Sequence, residues 1–269
     1  MLDVPELQYV AYRNGRLAYR AAGAGRTLFL LHGMNGSSES WAYLFRSLSQ
    51  TFRVVAWDAP SFGASDVFGD TTDDFKRAAK ALMNTLQIEN AVLVGHSMGG
   101  VVAVQLAADQ QASIAGLVLS STHLGFARPK GEALLARYAT RIEHLSKEGA
   151  DMSYGIFRAK RSTPHGTPNS VIRFLANIAS RARKEGIRDG GRMSQEADNA
   201  GLCPDVRVPV LILSGGEDTV ISAGMHAALI NALPTAQQVV FPNAGHASYA
   251  EFPDLFNQRI KEFAMHTLR

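Results

Sequence analysis

The sequence predicts an α/β protein, a mostly parallel sheet covered by helices on both faces, and three observations carry that expectation. Short apolar runs alternate with helical patterns along most of the chain. Thr27 to Leu31 is apolar almost throughout and Phe52 to Trp57 nearly so, as strands buried on both faces are. Ala91 to Val94 runs into Gly95-His96-Ser97-Met98-Gly99, a serine between two glycines at a strand-to-helix junction. A turn that sharp strains the serine backbone, and side chains two residues to either side collide unless nearly absent. Taken alone, the pattern is equally a glycine-rich turn, so a functional reading needs partners.

In chain order, Leu7 to Tyr12 and Arg16 to Ala21 read as a hairpin of edge strands closed by Asn14-Gly15, a pair that accepts positive φ. Ser38 to Leu48 fits a helix between the two buried strands. Thr72 to Leu86 is another, capped by Thr72 or Asp73. Met98 to Asp109 continues the serine turn as a helix, and Ile114 to Leu119 is a strand. The next good strand is Val208 to Leu213, and the roughly eighty residues between exceed an ordinary connection. That stretch reads as a helical insertion, with helices at Gly131 to Lys147 and Ser170 to Lys184 and breaks at Arg161 to Pro168 and Asp189-Gly190-Gly191. Ser222 to Ala232 is a helix, Gln237 to Phe241 a strand and Tyr249 to His266 a terminal helix.

A chain of 269 residues with 46% hydrophobic content holds one large core. A net charge of +3 lends no support to nucleic-acid binding. The charge is uneven: Ser121 to Ala200 carries 14 Lys and Arg against 8 Asp and Glu, which leaves the remainder acidic. The single cysteine, Cys203, excludes an intrachain disulfide, and no Cys/His spacing resembles a zinc site, so no metal is expected. Met1 to Val10 lacks the features of a signal peptide, and no run approaches a membrane span. The expectation is a cytoplasmic protein without membrane or nucleic-acid partners. Its oligomeric state is left open, a homodimer being one option.

A serine nucleophile needs a base, and the base needs an orienting acceptor. Asp218, in Gly215-Gly216-Glu217-Asp218, and His246, in Asn243-Ala244-Gly245-His246, both follow strands on the carboxyl edge where sites of parallel sheets assemble. Ser97, Asp218 and His246 also keep the order serine, acid, histidine. Glu217 is an alternative acid. Oxyanion donors are expected at the backbone N–H of Met98 and in the loop after the first buried strand, at Met34 with Asn35 as fallback. The side chains of Met34 and Met98 can also serve as apolar wall. Trp41 is read as pocket lining or helix packing, and His123 as pocket lining. His32 is read as structural, and His144, His165, His226 and His266 as surface residues.

Leu30-Leu31-His32-Gly33, Asp58-Ala59-Pro60-Ser61-Phe62-Gly63-Ala64-Ser65, Gly95 to Gly100, Gly215 to Asp218 and Gly245-His246 together resemble the α/β-hydrolase fold superfamily, within it the capped serine esterases and lactonases. The resemblance implies an eight-stranded, mostly parallel sheet, a helical cap after strand six and no cofactor. The core would span residues 1–120 and 201–269 and the cap 121–200, most like the cap of enol-lactonase-like members. Ser61 departs from the glycine usual at that place. Serine at 97 argues against the look-alikes that use an aspartate nucleophile, and His96, where carbon–carbon hydrolases often carry asparagine, leans toward esters or lactones.

The expected activity is hydrolysis of a small carboxylic ester or lactone. A meta-cleavage-type carbon–carbon hydrolase and a non-catalytic ligand-binding receptor are the alternatives. The basic insertion adds two competing readings. Long charged side chains ordinarily sit in water, which makes a solvated helical surface the plain one. The sharper one is an anionic small-molecule substrate drawn in by Arg158, Lys160, Arg161 or Arg173.

Overall fold

The computed structural model describes residues 3–109 and 113–268, so Met1 and Leu2, at the head of the segment read for a leader, lie outside it. Strand β1 (Leu7–Tyr12) pairs antiparallel with β2 (Gly15–Ala22). Strands β3 (Thr27–Leu31), β4 (Arg53–Trp57), β5 (Ala91–His96), β6 (Ile114–Ser120), β7 (Val210–Gly215) and β8 (Gln237–Phe241) complete one eight-stranded sheet, ordered β1-β2-β4-β3-β5-β6-β7-β8. Every pairing from β4 to β8 is parallel.

Two hairpin expectations need correction. The register pairs Tyr12 with Gly15, so the turn is Arg13-Asn14, with the positive φ of 49° on Arg13. Gly15 is needed for space instead: a Cβ there would lie 2.6 Å from Asp66 Oδ2, which accepts the Arg16 N–H. Nor is β2 an edge, because β4 pairs with its other side.

The core has two halves, one on each sheet face. Along β3 the side chains alternate, Leu28 and Leu30 entering one half and Phe29 and Leu31 the other. A 3-10 turn, Ser38–Trp41, precedes α1 (Ala42–Leu48), and α2 (Thr72–Thr85) follows β4. The cap of α2 is Thr71, one residue earlier than expected; its hydroxyl accepts the Asp74 N–H while the Asp74 carboxylate reaches back to Thr71. Helix α3 (Met98–Ala108) starts directly after the serine.

Between β6 and β7 stand four helices, α4 (Ala136–Lys147), α5 (Met152–Ser162), α6 (Asn169–Ala179) and α7 (Lys184–Glu196), where the sequence pattern showed two. The expected break at Asp189-Gly190-Gly191 lies inside α7. A Cβ on Gly190 would sit 2.6 Å from Met98 Sδ, and one on Gly191 would sit 2.8 Å from the Tyr138 ring. Close packing against the core and α4, with Ile187 and Met193 fully buried, outweighs the roughly 1 kcal/mol a helical glycine costs. Helix α8 (Ala223–Ala232) follows β7. The terminal helix is split into α9 (Ser248–Glu251) and α10 (Pro253–Thr267), because Pro253 lacks an N–H and disfavours helical backbone at Phe252. No helix of the described residues is long and apolar enough to cross a membrane.

Candidate active site

Ser97 sits between β5 and α3 with φ 51° and ψ −118°, a strained conformation costing about 1–3 kcal/mol. Its surroundings hold it there. The Ser97 N–H donates to the Ser120 carbonyl (2.9 Å), and the Ser97 carbonyl accepts from Thr122 Oγ1 (2.6 Å) and the Gly100 N–H (2.9 Å). The flanking glycines are required sterically: a Cβ would lie 2.6 Å from Gly100 Cα at position 95, and 2.0 Å from the Leu31 carbonyl oxygen at position 99.

His246, on the loop after β8, donates from Nδ1 to Asp218 Oδ2 at 2.9 Å. That bond leaves the Nε2 lone pair as the basic atom. Asp218 Oδ1 accepts the N–H groups of Val220 (2.8 Å) and Ile221 (3.0 Å). Burial raises the Asp218 pKa, but the hydrogen bond and charge of His246, with the two backbone donors, outweigh it and hold the carboxyl below its ordinary value. Glu217 is not the partner; it lines a separate surface cleft with Pro164 and Asn243.

The histidine's backbone is held on several sides. Its N–H donates to the Ser162 carbonyl at the end of α5 (2.8 Å), and its carbonyl accepts from His96 Nε2 (2.9 Å). The neighbouring N–H groups of Gly245 and Ala247 both donate to Glu251 (2.9 and 3.0 Å). Burial, reinforced by His246, pushes the His96 pKa down to about 3, so its ring is the neutral donor this bond requires. Sequence reasoning missed both supports. His96 was visible in the serine motif, whereas Glu251 left no signal short of the fold that curls α9 back over the loop.

A cavity lies between core and cap, and Ser97 and His246 both line it. Met34 lines it too. Met98 begins α3, where the first N–H groups have no partner within the helix, while its side chain is buried beneath Gly190 of α7 and forms no wall. The Asn35 side-chain oxygen accepts from the Arg141 guanidinium, so that side chain ties the core loop to the cap. Among the described residues, no group of three or more His, Cys, Asp or Glu is placed to hold a metal ion.

Residues 26–253 match the family described as alpha/beta hydrolase fold. The chain belongs to the α/β-hydrolase family. An enol-lactonase from Burkholderia xenovorans superposes with a TM-score of 0.84 at 25% identity, over 96% of this chain and all of that one. A thermophilic esterase from Thermogutta terrifontis, solved with malate bound, gives 0.85 at 26% identity, over 98% of this chain and all of that one. A 2-hydroxy-6-oxononadienedioate/2-hydroxy-6-oxononatrienedioate hydrolase of Paraburkholderia phymatum is 27% identical across 92% of this chain and 90% of its own length.

Within this α/β-hydrolase, other expected site residues fall in different places. Arg158 and Arg161 line the cavity, joined by Arg137 and Arg141 of α4, which were not singled out although their spacing of four puts them on one helix face. Arg173 instead borders an outer groove with Tyr43 and Asn177, and Lys160 is exposed. Trp41 does not line the cavity: it is fully buried in the core, 5.5 Å from the Tyr249 ring, because the 3-10 turn aims it beneath the sheet. His123 is also withdrawn. Its Nδ1 accepts the Gly125 N–H (3.0 Å), and burial, with Arg137 nearby, lowers its pKa to about 4, marking a neutral loop-bracing ring. His32 is buried, bonded at Nδ1 to the Gly33 carbonyl and at Nε2 to the Ala59 N–H. His165 and His266 are exposed, but His144 stacks on Tyr154 and His226 bonds Ser214, so both are half-buried.

Proposed function

We infer that this α/β-hydrolase cleaves a small carboxylic ester or lactone with Ser97 as nucleophile, His246 as general base and acid, and Asp218 as the residue that orients His246. One observation carries the reading: the Asp218–His246 hydrogen bond, at 2.9 Å, fixes an imidazole whose other nitrogen is free to act on a strained serine in the same cavity. Ser97 Oγ attacks the carbonyl carbon while His246 Nε2 takes its proton. The negative oxygen of the tetrahedral intermediate is held by the backbone N–H groups of Met98 and Met34. Collapse expels the alcohol, protonated by His246, and leaves an acyl-serine. Water, deprotonated by His246, then releases the acid and restores Ser97. For a lactone the alcohol and acid remain one molecule.

The enol-lactonase and the esterase among the structural neighbours support this bond type. A second reading, hydrolysis of a carbon–carbon bond in a ring-fission dienone, uses the same three residues and is favoured by the nonadienedioate hydrolase relative. Replacing Ser97 with alanine should abolish cleavage of a small aryl ester and labelling by a fluorophosphonate. Wild-type rates in that variant would refute the reading. Rates on aryl esters, enol-lactones and dienones decide between the two bond types.

A further inference from the structure

The cap contains ten arginines, and their partners divide them. Arg128, Arg181, Arg183, Arg188 and Arg192 each pair with a carboxylate, Glu132, Glu39, Glu185, Asp189 and Glu196 respectively. Four others, Arg137 and Arg141 on α4 and Arg158 and Arg161 on α5, converge on the cavity above Ser97, whose lining includes neither Asp nor Glu. Burying cations together without counter-charge is costly unless something else supplies the charge.

The four lie at two depths. Arg141 and Arg158 are half-buried inside, and Arg137 and Arg161 are exposed at the rim. Arg141 is held by neutral groups only, the Tyr154 hydroxyl at 3.3 Å and the Asn35 side-chain oxygen. Arg158 Nε is buried without a partner. Burial first, and then the like charges of Arg141, Arg161 and Arg137, bring the Arg158 pKa down to about 10. A single negative charge would leave most of this field unbalanced, whereas two would meet an inner and an outer pair, with guanidinium forks suited to carboxylate or phosphoryl oxygens. The same helix that supplies Arg158 and Arg161 ends at Ser162, whose carbonyl holds the His246 N–H, so the charged group would be seated beside the reacting carbonyl.

We propose that the cavity selects an ester or lactone bearing two negative charges, as two carboxylates or one phosphoryl group, gripped between Arg141 and Arg158 within and Arg137 and Arg161 at the mouth. The proposal rests on the hydrolase reading for the bond cleaved, but the anion site itself is measured separately.

Binding of acetate, succinate and inorganic phosphate to the wild-type protein is followed by calorimetry. Succinate or phosphate should bind about tenfold or more tightly than acetate, the scale of one additional charge-assisted bond, and the preference should shrink with added salt. Whether succinate or phosphate binds better identifies the charged group. Arg141→Gln and Arg158→Gln should each weaken that binding about tenfold or more, whereas Arg173→Gln, on the outer groove, should not change it. In kinetics, 4-nitrophenyl esters with none, one or two carboxylates in the acyl part should show kcat/KM rising with charge, a trend flattened in the two inner variants. Equal binding of all three anions, or kcat/KM indifferent to substrate charge, overturns the proposal even if neutral esters are cleaved. Selective dianion binding by a protein that cleaves no ester and whose Ser97 resists fluorophosphonate leaves the anion site standing and refutes the hydrolase reading instead.

Discussion

Ser61 stands where the sequence resemblance leads one to expect glycine, and its backbone φ of 70° is one that glycine adopts more easily. Its side chain supplies the compensation. Ser61 Oγ donates to Asp189 Oδ2 at 2.5 Å, and Asp189, 1% exposed on α7, has its other oxygen bonded to Arg188 Nε at 2.6 Å. Ser61→Ala removes one bond to a buried carboxylate and keeps the backbone strain, a loss of about 2 kcal/mol. Ser61→Gly removes the same bond but relieves strain, offset in part by the larger entropy of unfolded glycine, so the loss is about 1–1.5 kcal/mol. The expected order is wild type, then glycine, then alanine. With a urea slope of about 3 kcal/mol/M, the midpoints should fall by about 0.4 M for glycine and 0.7 M for alanine. A Ser61→Gly protein at or above the wild-type midpoint would refute the idea that this hydroxyl latches the core loop to the cap.

Other consequences are open to measurement. Asp218→Asn should lower kcat on a small aryl ester by about 10³–10⁴ while leaving the far-ultraviolet circular dichroism unchanged, and Glu217→Gln should leave the rate intact; equal losses would mean the acid is misassigned. Because the folded pKa of Asp218 lies below its ordinary 3.8, the stability it contributes is complete above that value and is lost as pH falls through the folded pKa. The Asp218→Asn protein should therefore lose less stability than wild type on acidification below roughly pH 4, as thermal melts would show. Gly99→Ala places a Cβ 2.0 Å from the Leu31 carbonyl oxygen, a backbone atom of the central sheet, and should cost more than about 3 kcal/mol or prevent folding. Gly201→Ala meets nothing within 4 Å and should stay within about 0.5 kcal/mol of wild type in the same melts. Glu251→Gln keeps one good acceptor for the two N–H groups of Gly245 and Ala247, so kcat should fall with little change in KM; an unchanged kcat would remove Glu251 as a support of His246.

The strands were legible because parallel strands buried on both faces write themselves as apolar runs, as Thr27–Leu31 does. Helices α5 and α7 were not. α5 mixes arginines with apolar residues that serve a cavity on one side and solvent on the other, and α7 carries three glycines whose reason is contact with Ser61, Met98 and Tyr138, residues far away in sequence. His123, just past a strand end, reads as pocket lining, and Trp41 as pocket lining or helix packing; side-chain direction, which spacing does not encode, decides for packing at Trp41, which enters the core, and turns His123 toward its own loop.

By itself, the sequence determined the α/β class and the candidate residues Ser97, Asp218 and His246, because each depends on local pattern: a strand, the turn after it and a reactive side chain in the turn. Tertiary structure alone decided that Asp218 rather than Glu217 meets His246, that His96 and Glu251 brace it, and that four arginines with no carboxylate partner among the described residues line the cavity that holds the serine. Those are contacts between segments up to 150 residues apart, set by how the cap settles on the sheet edge, and no local pattern carries that distance.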